Sequence, residues 1–325
     1  MAAPEGRALR LRVVPALDRD EVAAVLALAD AAAQADGAHP LSEHVVLHLR
    51  HGEPDALHVM AEDTTDGRLL GYAHLDFGEP ADGPAAELAV SPTARRRGVG
   101  TALLDELVRR ADEQPGHMRL WAHGTDTAAA QLAAARGFHR IRRLWQMRRS
   151  LYAPLDPVAL PPGVALRAFD PERDIDAWLA LNARAFTDLP DQAAWTRTDL
   201  AHRMAEAWFD PAGFLLAERG DGALVGFHWT KVHGHTHHAD EAHGHEHPHP
   251  GVSHDPIGEV YVVGVDPAVR GEGLGRSLTL AGLHHLRARG LSSALLYVDA
   301  DNVPAIALYR SLGFAPWDSD TLFRR

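Results

Sequence analysis

There is no cysteine in this chain of 325 residues, and Lys231 is its only lysine. The first absence excludes a disulfide framework and thiol catalysis, so any group in transit must pass directly between substrates or use another nucleophile. The second leaves arginine to carry nearly all the positive charge and singles out one compact ammonium at position 231. Long apolar runs are missing too. Nothing approaches the roughly twenty residues of a membrane span, and the amino terminus has neither the basic segment nor the apolar core of an export signal. A cytoplasmic protein with no membrane partner is expected. Basic residues are in deficit, 32 against 44 acidic ones for a formal charge of -12, which argues against nucleic acid as a partner. What remains, 46% hydrophobic and 23% charged residues, is ordinary globular composition, and the length favours two domains.

The most informative stretch runs from Glu259 to Gly275. Val260 to Val265 is a valine-rich run of the kind that forms a buried strand, Asp266-Pro267 breaks it, and a glycine-punctuated turn leads into an amphipathic helix. Arg270, Gly273 and Gly275 fit Arg-x-x-Gly-x-Gly. Small residues at such a turn let successive backbone N–H groups face one concavity at a helix start, which holds a pyrophosphate without a side chain. The lysine of a P-loop and the early glycine turn of a dinucleotide-binding fingerprint are both absent.

The same order of signals occurs twice. Arg95-x-x-Gly98-x-Gly100 lies 42 positions before Gly137 when counted from Arg95, and Arg270 lies 43 before Gly313. Leu69-Leu70-Gly71-Tyr72 matches Leu224-Val225-Gly226-Phe227. The chain therefore reads as a tandem duplication: a first domain over 1–150, a linker over 151–162 where Pro154, Pro157, Pro161 and Pro162 stop any helix, and a second domain over 163–325. In the first half, strands are expected at Leu9 to Val14, Leu57 to Glu62, Leu69 to Phe77, Glu87 to Val90 and Arg119 to Ala122, with helices after Asp18 and Ser42, after Gly100 and near Thr127 to Ala135. The halves differ where proton transfer would show: Tyr309 aligns with Ala133, Asn302 with Asp126, and Glu259 with Pro84. The second half also carries a histidine-rich insertion at about 232–257, with nine histidines from His233 to His254 among Gly, Pro and acidic residues. Such a tract can collect metal ions, but fixed ligands on rigid elements are wanting, and a polar hairpin loop with no metal requirement is expected.

The valine strand, the Arg-x-x-Gly-x-Gly turn, Asn302 and Tyr309-x-x-x-Gly313-Phe314 together resemble the acetyl-CoA site of the GNAT N-acetyltransferases. The resemblance implies an α+β chain with the α/β GNAT fold, in two tandem domains, each a mixed, mostly antiparallel sheet flanked by helices. Acetyl-CoA is the implied co-substrate. Transfer to an amine needs the amine neutral, the thioester carbonyl polarised and the departing thiolate protonated. Glu259, at the start of the strand that would flank the acetyl group, is the candidate base, and Tyr309, seven residues after Asn302, the candidate acid. Backbone N–H groups of Val263, Gly264 and Val265 are expected to hold the acetyl oxygen and pantetheine. The first half, with its turn kept and these side chains lost, is expected to bind CoA without catalysing.

Five segments narrow the resemblance: Pro40 to Glu43, Trp208 to Pro211, Gly226 to His233, Gly258 to Val265 and Leu296 to Asn302. They are similar to a tandem, actinobacterial branch of the family that acetylates the cysteinyl amine of a thiol sugar, cysteinyl-glucosaminyl-inositol. Carried over, Glu43, Asp191, Lys231, Glu259 and Tyr297 fall where that branch contacts the sugar substrate. Val263, Gly264 and Val265, the run Arg270, Gly271, Glu272, Gly273, Leu274, Gly275, Arg276, and the run Asn302, Val303, Pro304, Ala305, Ile306, Ala307 match its productive acetyl-CoA site. Leu88, Ala89, Val90, Arg96, Arg97, Gly98, Val99, Gly100 and Thr101 match a second, non-catalytic one. One departure is Leu189-Pro190-Asp191-Gln192, where the branch has glutamate in place of Asp191. A monomer is expected. Three other readings stay open from the residues alone: acetylation of another small-molecule or protein N-terminal amine, a CoA-binding sensor without turnover, and a metal chaperone using the histidine tract.

Overall fold

The computed structural model describes residues 9–52, 55–78, 83–125, 127–234 and 256–325. In chain order the elements are β1 (Leu9–Val14), α1 (Arg19–Asp36), α2 (Glu43–His51), β2 (Ala56–Asp63), β3 (Leu69–Asp76), β4 (Ala85–Val90), α3 (Val99–Ala111), β5 (Arg119–Ala122), α4 (Thr127–Ala135) and β6 (His139–Ser150). There follow β7 (Val164–Ala168), α5 (Ile175–Ala185), α6 (Pro190–Ala193), α7 (Arg197–Met204), β8 (Phe214–Arg219), β9 (Leu224–His233), β10 (Ile257–Val265), α8 (Leu274–Ala288), β11 (Ser293–Asp299), α9 (Val303–Ser311) and β12 (Ala315–Arg324). No helix among the described residues is long and apolar enough to cross a membrane.

Two compact units share these elements. One comprises 1–145 with 299–301 and 318–325; the other comprises 146–298 and 302–317. In the first, β1 to β4 pair antiparallel in sequence order, β4 runs parallel to β5, and the last residues of β12 close the sheet antiparallel to β5 through Thr321↔Ala122 to Arg324↔Arg119. Alternation along the strands sorts the core. Val59, Ala61, Ala73 and Leu75 pack with Leu103, Leu104 and Leu107 of α3 on one face, while Met60 and Tyr72 pack with α1 and α2 on the other. Helix α1 is set locally: Asp18 and Glu21 form a reciprocal capping box, Gly37 closes the far end at φ 76°, and Val25, Leu28, Ala29 and Ala32 make its buried stripe.

The second unit repeats the plan. β7, β8, β9 and β10 are antiparallel neighbours, β10 runs parallel to β11, and the end of β6 lies beside β11. One face of this sheet is aromatic: the Phe214 and Trp229 rings stack at 4.4 Å, and Trp178 meets both edge-on. The other face takes Leu274 and Leu278 of α8 against Val225. In each unit, therefore, the strand before the glycine turn is held between helical layers.

Candidate active site

Glu259 and Lys231 face each other across the β9–β10 ladder. Both are buried, at 6% and 8% exposure. A bulge interrupts the register between Val260 and Val262, so Tyr261 is the extra residue. A bulge re-aims side chains and strengthens local twist. Here Tyr261 turns its ring to Trp208 at 5.2 Å, and the Lys231 ammonium sits 4.7 Å from the Trp208 ring centre and 5.2 Å from that of Tyr261. That is a cation–π box around a buried ammonium.

One more group completes the ladder. His233, two residues beyond Lys231 and so on the same face, shares a 2.6 Å hydrogen bond between its Nε2 and Oε2 of Glu259. Burial alone would raise the pKa of Glu259, but the His233 hydrogen bond and the charges of His233 and Lys231 hold it below its ordinary value. The result is a buried carboxylate kept ionised. In the same strand, by contrast, His228 is a core residue: it bonds the Leu278 carbonyl at 2.7 Å, and burial drives it down to about 4.

Tyr297 stands on β11 two residues past Leu295, the parallel partner of Glu259, which puts it on the same sheet face. It is 43% exposed, and its hydroxyl accepts a 2.8 Å hydrogen bond from Gln146 Nε2. Beyond Leu295 the strands part. β10 and β11 pair only at Gly258↔Ala294 and Glu259↔Leu295, whereas β10 stays paired with β9 to Val265. From Val260 onward one edge of β10 thus has no strand partner among the described residues. Alternate amides of an antiparallel strand point to each edge, so those of the Val263 to Val265 stretch that face away from β9 open into this cleft. The first unit splays likewise, β4 meeting β5 only at Ala85 and Ala86.

The glycine turn follows directly. Gly271 and Gly273 adopt φ of 90° and 82°, and Leu274 begins α8. The first amides of α8, including those of Gly275 and Arg276, have no intrahelical acceptor. Arg270 is anchored to the Ala185 carbonyl at 3.0 Å, and Arg276 to Asp156 at 2.6 Å and Ser311 at 2.9 Å; Glu272 is exposed. The first unit reproduces the backbone with different residues: Arg96 at φ 60° stands for Gly271, and Gly98 at φ 85° for Gly273. Arg95 is clamped to Asp36, while Arg96 and Arg97 are exposed.

Asn302 caps α9, its side chain accepting from the Ala305 N–H at 3.1 Å. This fixes the start of the helix that carries Tyr309, whose ring meets Phe314 edge-on at 5.9 Å. Burial pushes the Tyr309 hydroxyl up to about 12, so it is a held proton, not a base. Glu43 opens α2 of the first unit after the Ser42 cap, and Asp191 lies in the short α6.

Three details of the sequence reading change. The residue at the register position of Glu259 in the first unit is Ala85, not Pro84: Ala85 faces Asp76 and Arg119 as Glu259 faces Lys231 and Leu295, and the bulge absent from β4 offsets the count. The ends of the histidine insertion are strand, since Val232 pairs with Gly258 and His233 with Ile257; the hairpin loop expected between them, and Asp126, lie outside the described residues. His233 itself, counted with the insertion, belongs to the site. The signal was available in its spacing of two from Lys231 within a strand.

Comparison with known proteins bears on this geometry. The Acetyltransferase (GNAT) family model matches residues 23–140 and again 175–314. A mycothiol acetyltransferase of Acidothermus cellulolyticus is 52% identical over 320 residues, covering 97% of this chain and 93% of its own. That of Thermobispora bispora is 54% identical over 302 residues, covering 93% and 95%. Among solved structures, a tandem GNAT protein from the clavulanic acid biosynthesis pathway shares the fold at a TM-score of 0.73 and 23% identity, covering 98% of each chain.

Proposed function

The chain belongs to the GNAT acetyltransferases, among relatives named mycothiol acetyltransferase, and we propose that it transfers acetyl from acetyl-CoA to the cysteinyl amine of cysteinyl-glucosaminyl-inositol. The observation that carries this reading is identity of about half the residues over nearly the whole length of those relatives, together with an ionised buried carboxylate at the head of the splayed strand.

The chemistry follows from the groups present. Glu259 takes a proton from the substrate ammonium, directly or through one water, and the freed amine attacks the thioester carbon. Charge developing on the acetyl oxygen is met by β10 amides facing the cleft, as an oxyanion hole requires. Collapse of the tetrahedral intermediate breaks the carbon–sulfur bond, Tyr309 gives its proton to the departing CoA thiolate, and the attacking nitrogen sheds its remaining extra proton through water, which restores the Tyr309 hydroxyl. Lys231, Tyr297, Glu43 and Asp191 would contact the sugar, whose many hydroxyls and single ammonium call for donors and carboxylates rather than an apolar wall. The turn 270–276 and the start of α9 at 302–307 would hold the CoA, and no step needs a metal.

The first unit, in this reading, binds acetyl-CoA at 88–90 and 96–101 without turning it over. Ala85 and Ala133 stand where the second unit has Glu259 and Tyr309, so neither proton can move there. A cytoplasmic monomer completes the proposal.

A CoA-release assay with cysteinyl-glucosaminyl-inositol beside the des-cysteinyl sugar and a panel of other amines tests it. Turnover confined to the cysteinyl sugar is expected. Turnover of amino acids or peptide amino termini with none of the cysteinyl sugar would overturn the acceptor while leaving the family intact.

A further inference from the structure

We propose that His44, His48 and Asp76 form a binding site for a zinc-class divalent cation in the first unit, remote in sequence from the histidine tract. His44 and His48 are four residues apart on α2, and their rings lie 3.9 Å apart. Histidines at i and i+4 on one helix face are a pair that a single zinc ion can bridge. Asp76, the last residue of β3, adds an oxygen: His44 Nε2 lies 2.9 Å from its Oδ2. One ligand atom from each of the three falls within 4.8 Å of the other two. Tetrahedral zinc, with ligands about 2.0–2.2 Å from the ion, separates them by about 3.3 Å, so small side-chain rotations close the site.

Two imidazoles and one carboxylate suit zinc or cobalt and leave a fourth position for water or another ligand. His74 supplies an independent pointer. It is 1% exposed, its ring lies 5.6 Å from that of His48, and its Nε2 has no hydrogen-bond partner among the described residues. A buried ring nitrogen left without a partner costs free energy, and a metal or metal-bound water beside His48 would satisfy it. The register adds a reason for finding the site in this copy. Asp76 faces Ala85 where Lys231 of the second unit faces Glu259, so an ammonium occupies this position in one copy and an anion among imidazoles in the other. A bound ion would join the end of β3 to α2, the helix that Glu43 begins.

The test must separate this site from the eight histidines between His235 and His254, so the full-length chain is made with all eight changed to glutamine. Cobalt titration followed in the visible, and zinc titration against a chromophoric chelator, should give one equivalent bound. His44→Ala is half exposed and threatens no core. It and Asp76→Asn should each weaken binding by more than about 100-fold, since losing even an outer partner of a ligand costs about 10–100-fold. Zinc should raise the thermal midpoint of the loop-substituted chain and leave that of its His44→Ala version unmoved. Uptake of no metal by the loop-substituted chain, or equal uptake by the His44→Ala and Asp76→Asn chains, would overturn the assignment.

Discussion

Nε2 of His233 lies 2.6 Å from Oε2 of Glu259, diagonally across two antiparallel strands, and this contact governs how the carboxylate titrates. Burial pushes the Glu259 pKa up; His233 and then Lys231 pull it down, and the pull wins. A base that must be ionised to act loses activity as pH falls through its own pKa. His233→Ala removes the strongest opposing partner, leaving burial to dominate. The acid limb of log kcat/KM against pH is therefore expected to move to higher pH in His233→Ala, with near-normal turnover recovered above the new limb. An acid limb unmoved by that change would mean that His233 does not set the base. Glu259→Gln, which removes the base itself, should lower kcat about 10²–10⁴-fold above the wild-type acid limb while acetyl-CoA still binds.

Tyr309 is expected to act at the other end of the reaction. Its hydroxyl, raised to about 12 by burial, stays protonated at any pH at which the enzyme works and becomes useful only when a thiolate forms beside it. Tyr309→Phe keeps the edge contact with Phe314, so the thermal midpoint should hold. Its kcat should fall about 10²-fold or more, and an acetyl donor with a more acidic thiol should narrow the gap, because such a leaving group needs the proton less. A deficit of the same size with both donors would assign the residue to packing instead.

The glycine turns make a third case. Arg96 holds the left-handed backbone that Gly271 adopts in the other copy, at a cost of roughly 1 kcal/mol for a side chain with a Cβ. Strain kept at a turn whose two arginines stand exposed favours a retained anion site over an idle loop. Isothermal titration with CoA should return two sites for the wild-type chain and one for Arg96→Gly combined with Arg97→Ala. Glycine keeps the nest and removes the charge, so a surviving second site would show that the backbone alone suffices.

Much of this was legible in the residues, for physical reasons. Asp18 with Glu21, Gly37 and Ser42 are local signals, and the helices they bound fall where the sequence puts them. The Arg-x-x-Gly-x-Gly turns demand left-handed backbone, and that demand is met. What escaped was long-range. A bulge at Tyr261 depends on a partner strand, so the copies aligned one residue out. The assignment of the end of β12 to the first unit depends on which sheet edge is free, and periodicity within a strand carries no such information. His233 was hidden by composition: among nine histidines in a biased tract, the one inside the ladder looked like the rest. His44 and His48 carried their spacing in plain sight, but their carboxylate comes from a strand 28 residues beyond His48.

A buried charge cluster in the first unit gives a prediction about stability. His123 has Nδ1 3.1 Å from Asp320 and Nε2 3.4 Å from Glu87, and Glu87 also accepts the Ser42 N–H at 2.6 Å. Burial alone would lower the imidazole, but the two carboxylates raise it well above its ordinary 6.5; burial would raise Glu87, but His123 and Ser42 hold it below 4.5. A raised histidine contributes its full stabilisation below 6.5 and loses it as pH climbs towards the folded-state value, while a depressed glutamate contributes fully above 4.5 and loses it on acidification. The cluster's own contribution, read as the difference in urea midpoint between the wild type and His123→Gln, should therefore be largest between about pH 4.5 and 6.5 and decline on both sides. His123→Gln keeps a hydrogen-bonding group but strands a buried carboxylate, a loss of about 3 kcal/mol at pH 6. It should also flatten the decline above pH 6.5, because the group that releases its proton there has gone. If the variant kept the wild-type slope on the alkaline side, the proton would have to leave from somewhere else in the fold.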